Sequence, residues 1–156
     1  MVMKKILIID DDAGIREALR KVLRSEGYTP LVAAGAEEAL ERFEESNVDL
    51  ILLDLNLPSK NGWDLFEHFT GANPLVPIIV ITGRSAQDFL AAEAGVGALL
   101  EKPLDVDFLL KSIRELLVEK AEVRLRRLLG SNQSLRFAPA QAKRQKGSVA
   151  HKNRSW

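Results

Sequence analysis

The chain of 156 residues has no cysteine and only two histidines. Lacking cysteine, it can form no disulfide, no thiolate metal site and no cysteine nucleophile, and two histidines are too few for a His-rich metal site. No apolar run approaches the roughly 18 residues that cross a bilayer. The stretch from Met1 to Asp10 is too short in its apolar part for a signal peptide and ends in acids. A soluble, cytoplasmic protein without membrane insertion is expected. Internal repeats and a Gly-rich phosphate loop are also missing. Acid is missing from one region in particular. Residues 121–156 hold nine Lys and Arg against the single acid Glu122, a net of plus 8, whereas residues 1–120 hold 13 Lys and Arg against 21 Asp and Glu, a net of minus 8. The formal net charge of zero therefore divides into two regions with different jobs.

What is present centres on residues 49–62. Leu50 to Leu53 form a continuous apolar run of the kind buried on both faces of a parallel sheet, and the run ends on a lone carboxylate, Asp54. Asn56, Pro58, Ser59, Asn61 and Gly62 then make a loop. Comparable buried strands are read at Lys5–Ile9, Tyr28–Ala33, Pro77–Thr82 and Ala98–Leu100. Between them, apolar residues at helical spacing predict helices after Asp12 to Gly27, over Glu37–Ser46, over Trp63–Thr70 and from Ser85 to about Ala94. Five strand and helix alternations call for an α/β fold, a doubly wound five-stranded parallel sheet with helices on both faces.

The last helix, opened by Asp105 or Asp107, keeps its apolar spacing to Gly130, roughly twice the mean helix length. The domain is expected over residues 1–120, an extension of the last helix over 121–130, and a basic, disordered tail over 131–156.

In a parallel sheet the carboxyl ends of all strands point to one rim. Asp10, Asp11 and Asp12, then Asp54, Thr82 and Lys102 gather there. Clustered carboxylates repel by several kcal/mol unless protons or a cation intervene. Mg²⁺ suits oxygen ligands, waters and a phosphate oxygen together. A carboxylate surrounded by Mg²⁺, an ammonium and a hydroxyl is equipped for phosphoryl transfer, with Asp54 as nucleophile.

Asp10-Asp11, Asp54 to Pro58 with Gly62, Thr82-Gly83 and Lys102-Pro103, in that order, resemble the receiver domain of two-component response regulators over about residues 3–120. The resemblance implies a flavodoxin-like strand order 2-1-3-4-5. It also implies a phosphoacceptor switch, not an enzyme with a separate substrate. Asp54 would take a phosphoryl group from the phosphohistidine of a histidine kinase or histidine phosphotransfer protein. Asp11, Asp54 and the Asn56 backbone carbonyl would hold Mg²⁺, with Asp10 acting through water, while Lys102 would hold the phosphoryl oxygens and Thr82 would be the switch hydroxyl. The Lys102–Pro103 peptide resembles the family's cis one. Asp12, closest to the helix start, reads as a cap instead.

Leu99 departs from the family, which usually has an aromatic switch residue there. Asn56 and Arg84 occupy positions that tune phosphoryl lifetime; Trp63 reads as a packing residue and His68 as a surface one. With no output domain after residue 130, the message is expected to leave through another protein or by onward transfer. Two rival readings exist: nucleic-acid binding by the tail through Lys143, Arg144, Lys146, Lys152 and Arg154 with Trp156 stacking, and a small Mg²⁺-dependent phosphatase. Asn56 and the lack of a cap insertion speak against the latter.

Overall fold

The computed structural model describes residues 2–58, 61–83, 94–130 and 135–141. Arg84 and all but the last residue of the helix expected from Ser85 to Ala94 lie outside them, as do residues 142–156. Strands β1 (Lys5–Ile9), β2 (Thr29–Ala33), β3 (Leu50–Asp54), β4 (Ile78–Thr82), β5 (Ala98–Glu101) and β6 (Arg136–Ala138) form one sheet in the order β2-β1-β3-β4-β5-β6. Every neighbouring pair is parallel. The doubly wound architecture and the order of the first five strands are as expected; the sheet has six strands instead of five.

Side chains alternate across the pleat, so each strand feeds two cores. Ile6, Ile8, Leu50, Leu52, Ile79, Ile81, Ala98 and Leu100 face helices α1 (Ala13–Ser25) and α4 (Val106–Leu117). Leu7, Ile9, Ile51, Leu53, Ile78, Val80 and Leu99 face helices α2 (Ala36–Glu45) and α3 (Gly62–Ala72). This double burial is why the strands read as unbroken aliphatic runs. The helices start where the sequence puts acceptors: Asp12 caps α1 through Gly14 and Ile15, and Asp105 caps α4 through Phe108. No helix among the described residues is long and apolar enough to cross a membrane.

Two differences concern the C-terminal segment. The expected single helix to Gly130 is two: α4 ends at Leu117, and α5 (Ala121–Leu128) starts after Lys120. Neither glycine nor proline marks the break; the cause lies in tertiary contacts. Arg124, 2 % exposed, donates to the carbonyls of Pro74 (3.1 Å), Gly95 (3.1 Å) and Val76 (2.8 Å), the turns that lead into β4 and β5. Arg127 forms a buried pair with Glu119 at the break itself.

The second difference is β6, which falls within residues expected to be disordered. Arg136, Phe137 and Ala138 pair with Ala98, Leu99 and Leu100, covering a β5 edge that would otherwise expose its hydrogen-bonding groups. Arg136 also reaches Glu115 at 3.0 Å, and Ala138 is fully buried in the α1/α4 core.

Gly95 shows how closely α5 approaches. Its φ is +83°, and a Cβ there would lie 2.9 Å from the Leu128 Cα and 3.0 Å from the Arg127 carbonyl oxygen. Gly95→Ala combines a left-handed backbone with a clash against backbone atoms, so it is expected to cost about 1–3 kcal/mol. A urea midpoint unchanged from wild type would contradict this packing.

Candidate functional site

The rim at the carboxyl ends of the strands is built as the apolar runs dictate, because each run buries its chain until the last residue and then releases a polar side chain. Asp10 follows β1 and is 1 % exposed, Asp54 ends β3 at 1 %, and Thr82 ends β4 at 0 %. Lys102 follows β5. Its Nζ lies 3.0 Å from Asp10 Oδ2 and 3.2 Å from Asp54 Oδ2, bridging two buried carboxylates that arrive on adjacent strands. Asp11, by contrast, is exposed.

Backbone groups set the remaining oxygens. Asp10 Oδ1 accepts from the Asp12 N–H at 2.9 Å, and Asp54 Oδ1 accepts from the Asn56 N–H at 2.9 Å. Both are two-residue side-chain-to-backbone turns that lock the carboxylate against its own loop. Asn56 Nδ2 donates to Thr82 Oγ1 at 3.4 Å, a long contact linking the β3 and β4 loops. The loop after Asp54 returns against the strand end: the Gly62 N–H donates to the Leu55 carbonyl at 3.3 Å, and a Cβ on Gly62 would lie 2.5 Å from the Leu55 Cα. Only glycine fits that approach.

The expected residues Asp10, Asp11, Asp54, Asn56, Thr82 and Lys102 all belong to this rim. Asp12 is spent on capping α1. The Lys102–Pro103 peptide is cis. Trp63 packs edge-on against Phe66 and is a packing residue. Arg16 carries no signal in the sequence. From α1 its Nη1 donates to the Asp10 carbonyl at 2.8 Å, holding the loop that carries the acids. Its position six residues after Asp10 has no motif spacing to betray it.

The electrostatics are those of a site short of positive charge. Burial raises the Asp10 pKa and the Asp54 charge adds to it, against the opposing Asp12 N–H and Lys102. Burial alone would lower Lys102, but its hydrogen bond to Asp10 and the charges of Asp54 and Asp10 outweigh burial and raise it. Lys102 is thus fully charged at neutral pH. An acid whose folded pKa is raised binds a proton more readily in the folded chain, so its contribution to stability falls as pH rises through that folded value. Once ionised, the buried Asp10 carboxylate is a cost to the folded chain.

Asp10, Asp11 and Asp54 present carboxylate oxygens within 4.8 Å of one another, the one such cluster of metal-ligating side chains among the described residues. Asp10 Oδ2 is buried without a well-aligned hydrogen bond, its partner being the ammonium at 3.0 Å. A hard, all-oxygen donor set with an under-satisfied buried oxygen fits Mg²⁺.

The model of the response regulator receiver domain matches residues 6–114. The chain belongs to the response regulator receiver family. It is similar to sporulation initiation phosphotransferase F of Bacillus subtilis, 31 % identical over 123 residues that cover 78 % of this chain and 99 % of that protein. It also resembles the transcriptional regulatory protein CpxR of Klebsiella pneumoniae, 37 % identical over 117 residues, 74 % of this chain and 50 % of that one. Similarity to GlrR of Escherichia coli is 35 % and covers 27 % of that regulator, so the chain spans a quarter to a half of these two transcriptional regulators. Among solved structures, a CheY-like receiver domain from Methanospirillum hungatei superimposes with a TM-score of 0.71 at 31 % identity, covering 80 % of this chain and 98 % of that one. The response regulator TrrA of Thermotoga maritima, in complex with Mg²⁺-BeF, gives 0.68 at 31 %, covering 73 % and 99 %. As a receiver domain, the chain is a phosphoacceptor switch of two-component signalling, and its acid cluster is compatible with Mg²⁺.

Removing one of the crowded acids tests this balance. Asp10→Asn keeps an acceptor for the Asp12 N–H but removes a buried charge, so the metal-free receiver is expected to gain about 0.5–2 kcal/mol at pH 7 while Mg²⁺ affinity drops at least about tenfold. Thermal melts with and without Mg²⁺ read both effects; a metal-free loss of stability would contradict the assignment of a cost to Asp10.

Proposed function

We propose that Asp54 is the phosphoacceptor of this receiver, taking its phosphoryl group from a phosphohistidine on a histidine kinase or histidine phosphotransfer protein. The observation that carries this reading is the Lys102 ammonium held between two buried carboxylates, Asp10 and Asp54, at 3.0 and 3.2 Å. That contact and the Asn56 N–H orient the Asp54 carboxyl group. In the transfer an Asp54 carboxylate oxygen forms a bond to phosphorus, the phosphorus–nitrogen bond breaks, and its electron pair leaves with the imidazole. Lys102 stands where it can follow the charge from the carboxylate to the phosphoryl oxygens. Asp11, Asp54 and the Asn56 carbonyl would hold Mg²⁺, with Asp10 through water. When bound, the ion neutralises the charge shared by the acids and the transferred group. Thr82, already linked to Asn56, offers its hydroxyl to a phosphoryl oxygen.

Incubation of the full chain with a small phosphodonor and Mg²⁺ should place one acid-stable, alkali-labile phosphoryl group on the peptide containing Asp54. Chelating the metal should slow labelling by about 10²-fold or more. Label on a different residue, or steady turnover of phosphomonoesters, would overturn the reading.

A further inference from the structure

Two of the rim's acids sit on the turn between β1 and α1, and a basic side chain of the helix reaches back to that turn. Arg16 is half-buried in the first turn of α1, and its Nη1 donates to the Asp10 carbonyl at 2.8 Å. Asp11 and Asp12 are near it in sequence, yet it pairs with neither. Among the described residues Arg16 forms no ion pair, whereas Arg20 and Arg42 pair with Glu17 and Glu38 on exposed helix faces. What Arg16 fixes is a peptide. The Asp10–Asp11 peptide is held through its carbonyl by Arg16, and the Asp11–Asp12 peptide through its N–H by Asp10 Oδ1 at 2.9 Å. On the strand side the Asp10 N–H donates to the Ala33 carbonyl at 3.2 Å. Asp11 is exposed, so its place is set by the two peptides that flank it, and one of these depends on Arg16. Its carboxylate completes, with those of Asp10 and Asp54, the cluster of oxygens within 4.8 Å of one another.

We propose that Arg16 is a positioning residue of the metal site, fixing the Asp10–Asp11 peptide so that the rim carboxylates meet the geometric demand of Mg²⁺ and discriminate it from Ca²⁺. The inference rests on the reading that these acids hold the ion. Charge alone would work the other way, because a guanidinium beside a cation site repels the ion. Any gain that Arg16 brings to metal binding is therefore geometric. Geometry weighs unequally on the two ions: Mg²⁺ requires a near-ideal octahedron of oxygens at about 2.1 Å, while Ca²⁺ accepts longer, irregular contacts at about 2.3–2.6 Å. Freeing the peptide ahead of Asp11 should cost Mg²⁺ more than Ca²⁺. Arg16 reaches the ligands only through the backbone, as groups that stand behind metal ligands and orient them do.

The test is a titration of the full chain with Mg²⁺ or Ca²⁺ at constant ionic strength and without any phosphodonor, followed by the backbone-amide NMR shifts, which also report that each variant is folded. Arg16→Met removes the donor and keeps a good helix former. Its Mg²⁺ affinity should fall about tenfold, the usual cost of losing a group that orients a ligand, and its Ca²⁺ affinity by less than about threefold. Arg16→Lys retains a donor for the one carbonyl and should hold the ratio of the two affinities within about twofold of wild type. An equal loss for both ions in Arg16→Met would report a merely structural role, and tighter binding of both would report lost repulsion. Either result overturns the proposal, as would an Arg16→Lys variant that matches Arg16→Met. A wild-type chain that binds no Mg²⁺ would overturn the metal reading and this inference with it, whereas binding with an unmoved ratio overturns this inference alone. Neither result depends on whether Asp54 can be labelled.

Discussion

Asp54→Asn is expected to lose at least about 10³-fold in the rate of phosphoryl uptake from a small phosphodonor, since a neutral amide oxygen is a far weaker nucleophile than a carboxylate. The substitution is nearly isosteric and leaves an oxygen to accept the Asn56 N–H, which sits 2.9 Å from Asp54 Oδ1. Lys102 keeps Asp10 as its partner at 3.0 Å, so the fold and the rim should persist. The loss must therefore appear as missing chemistry, with the unfolding free energy from urea titration changed by no more than about 1 kcal/mol. Mg²⁺ binding should weaken but remain measurable, because Asp10 and Asp11 still offer their carboxylates. Labelling of the variant at a rate near that of wild type would move the nucleophile elsewhere, with the exposed Asp11 as the next group to test.

Asp54, Thr82 and Lys102 are legible in the sequence because a strand buried on both faces admits only aliphatic residues, so the single polar side chain at its end stands out. Asp54 ends the Leu50–Leu53 run, Thr82 ends Ile78–Ile81, and the structure buries both acid and hydroxyl at the rim. Asp12 is legible for a similarly local reason, as the acceptor just ahead of a helix. Arg16 and Arg124 are not. Each acts through carbonyls distant in sequence or lacking side-chain identity: Arg16 on the carbonyl of Asp10, Arg124 on those of Pro74, Val76 and Gly95. A backbone acceptor leaves no mark in the sequence, and a long basic side chain among apolar helix positions reads as solvated. The same holds for β6. Three residues are too few to show a period, and their pairing is decided by the uncovered edge of β5. The one long helix expected to Gly130 failed for a related reason, since helical spacing persists across a break that tertiary contacts impose at Val118–Lys120.

Arg124→Ala is expected to destabilise the chain by about 3–5 kcal/mol, a cost far above that of a surface arginine. The guanidinium is 2 % exposed and its three donors satisfy three backbone carbonyls, so truncation strands those carbonyls and empties the space between α5 and the turns into β4 and β5. Burial, and then the nearby charge of Arg127, lower the Arg124 pKa to about 10, against the pull of Glu119. That is still well above neutral, so the group is charged in the folded chain. A base whose folded pKa is lowered carries its penalty at every pH below that value and sheds it only as pH rises beyond about 10. The deficit of Arg124→Ala should accordingly be flat between pH 6 and 9. Arg124→Lys should recover less than half, because one ammonium cannot reproduce the planar fork. Ending the chain after Lys120 removes the same contacts together with the cover on β5, so the loss should exceed that of Arg124→Ala and be accompanied by faster amide exchange in Ala98–Glu101. Urea unfolding at the same midpoint as wild type would mean that α5 and β6 rest on a receiver complete without them. A large loss would instead make residues beyond the matched 6–114 part of what holds β5, and with it Lys102, in place.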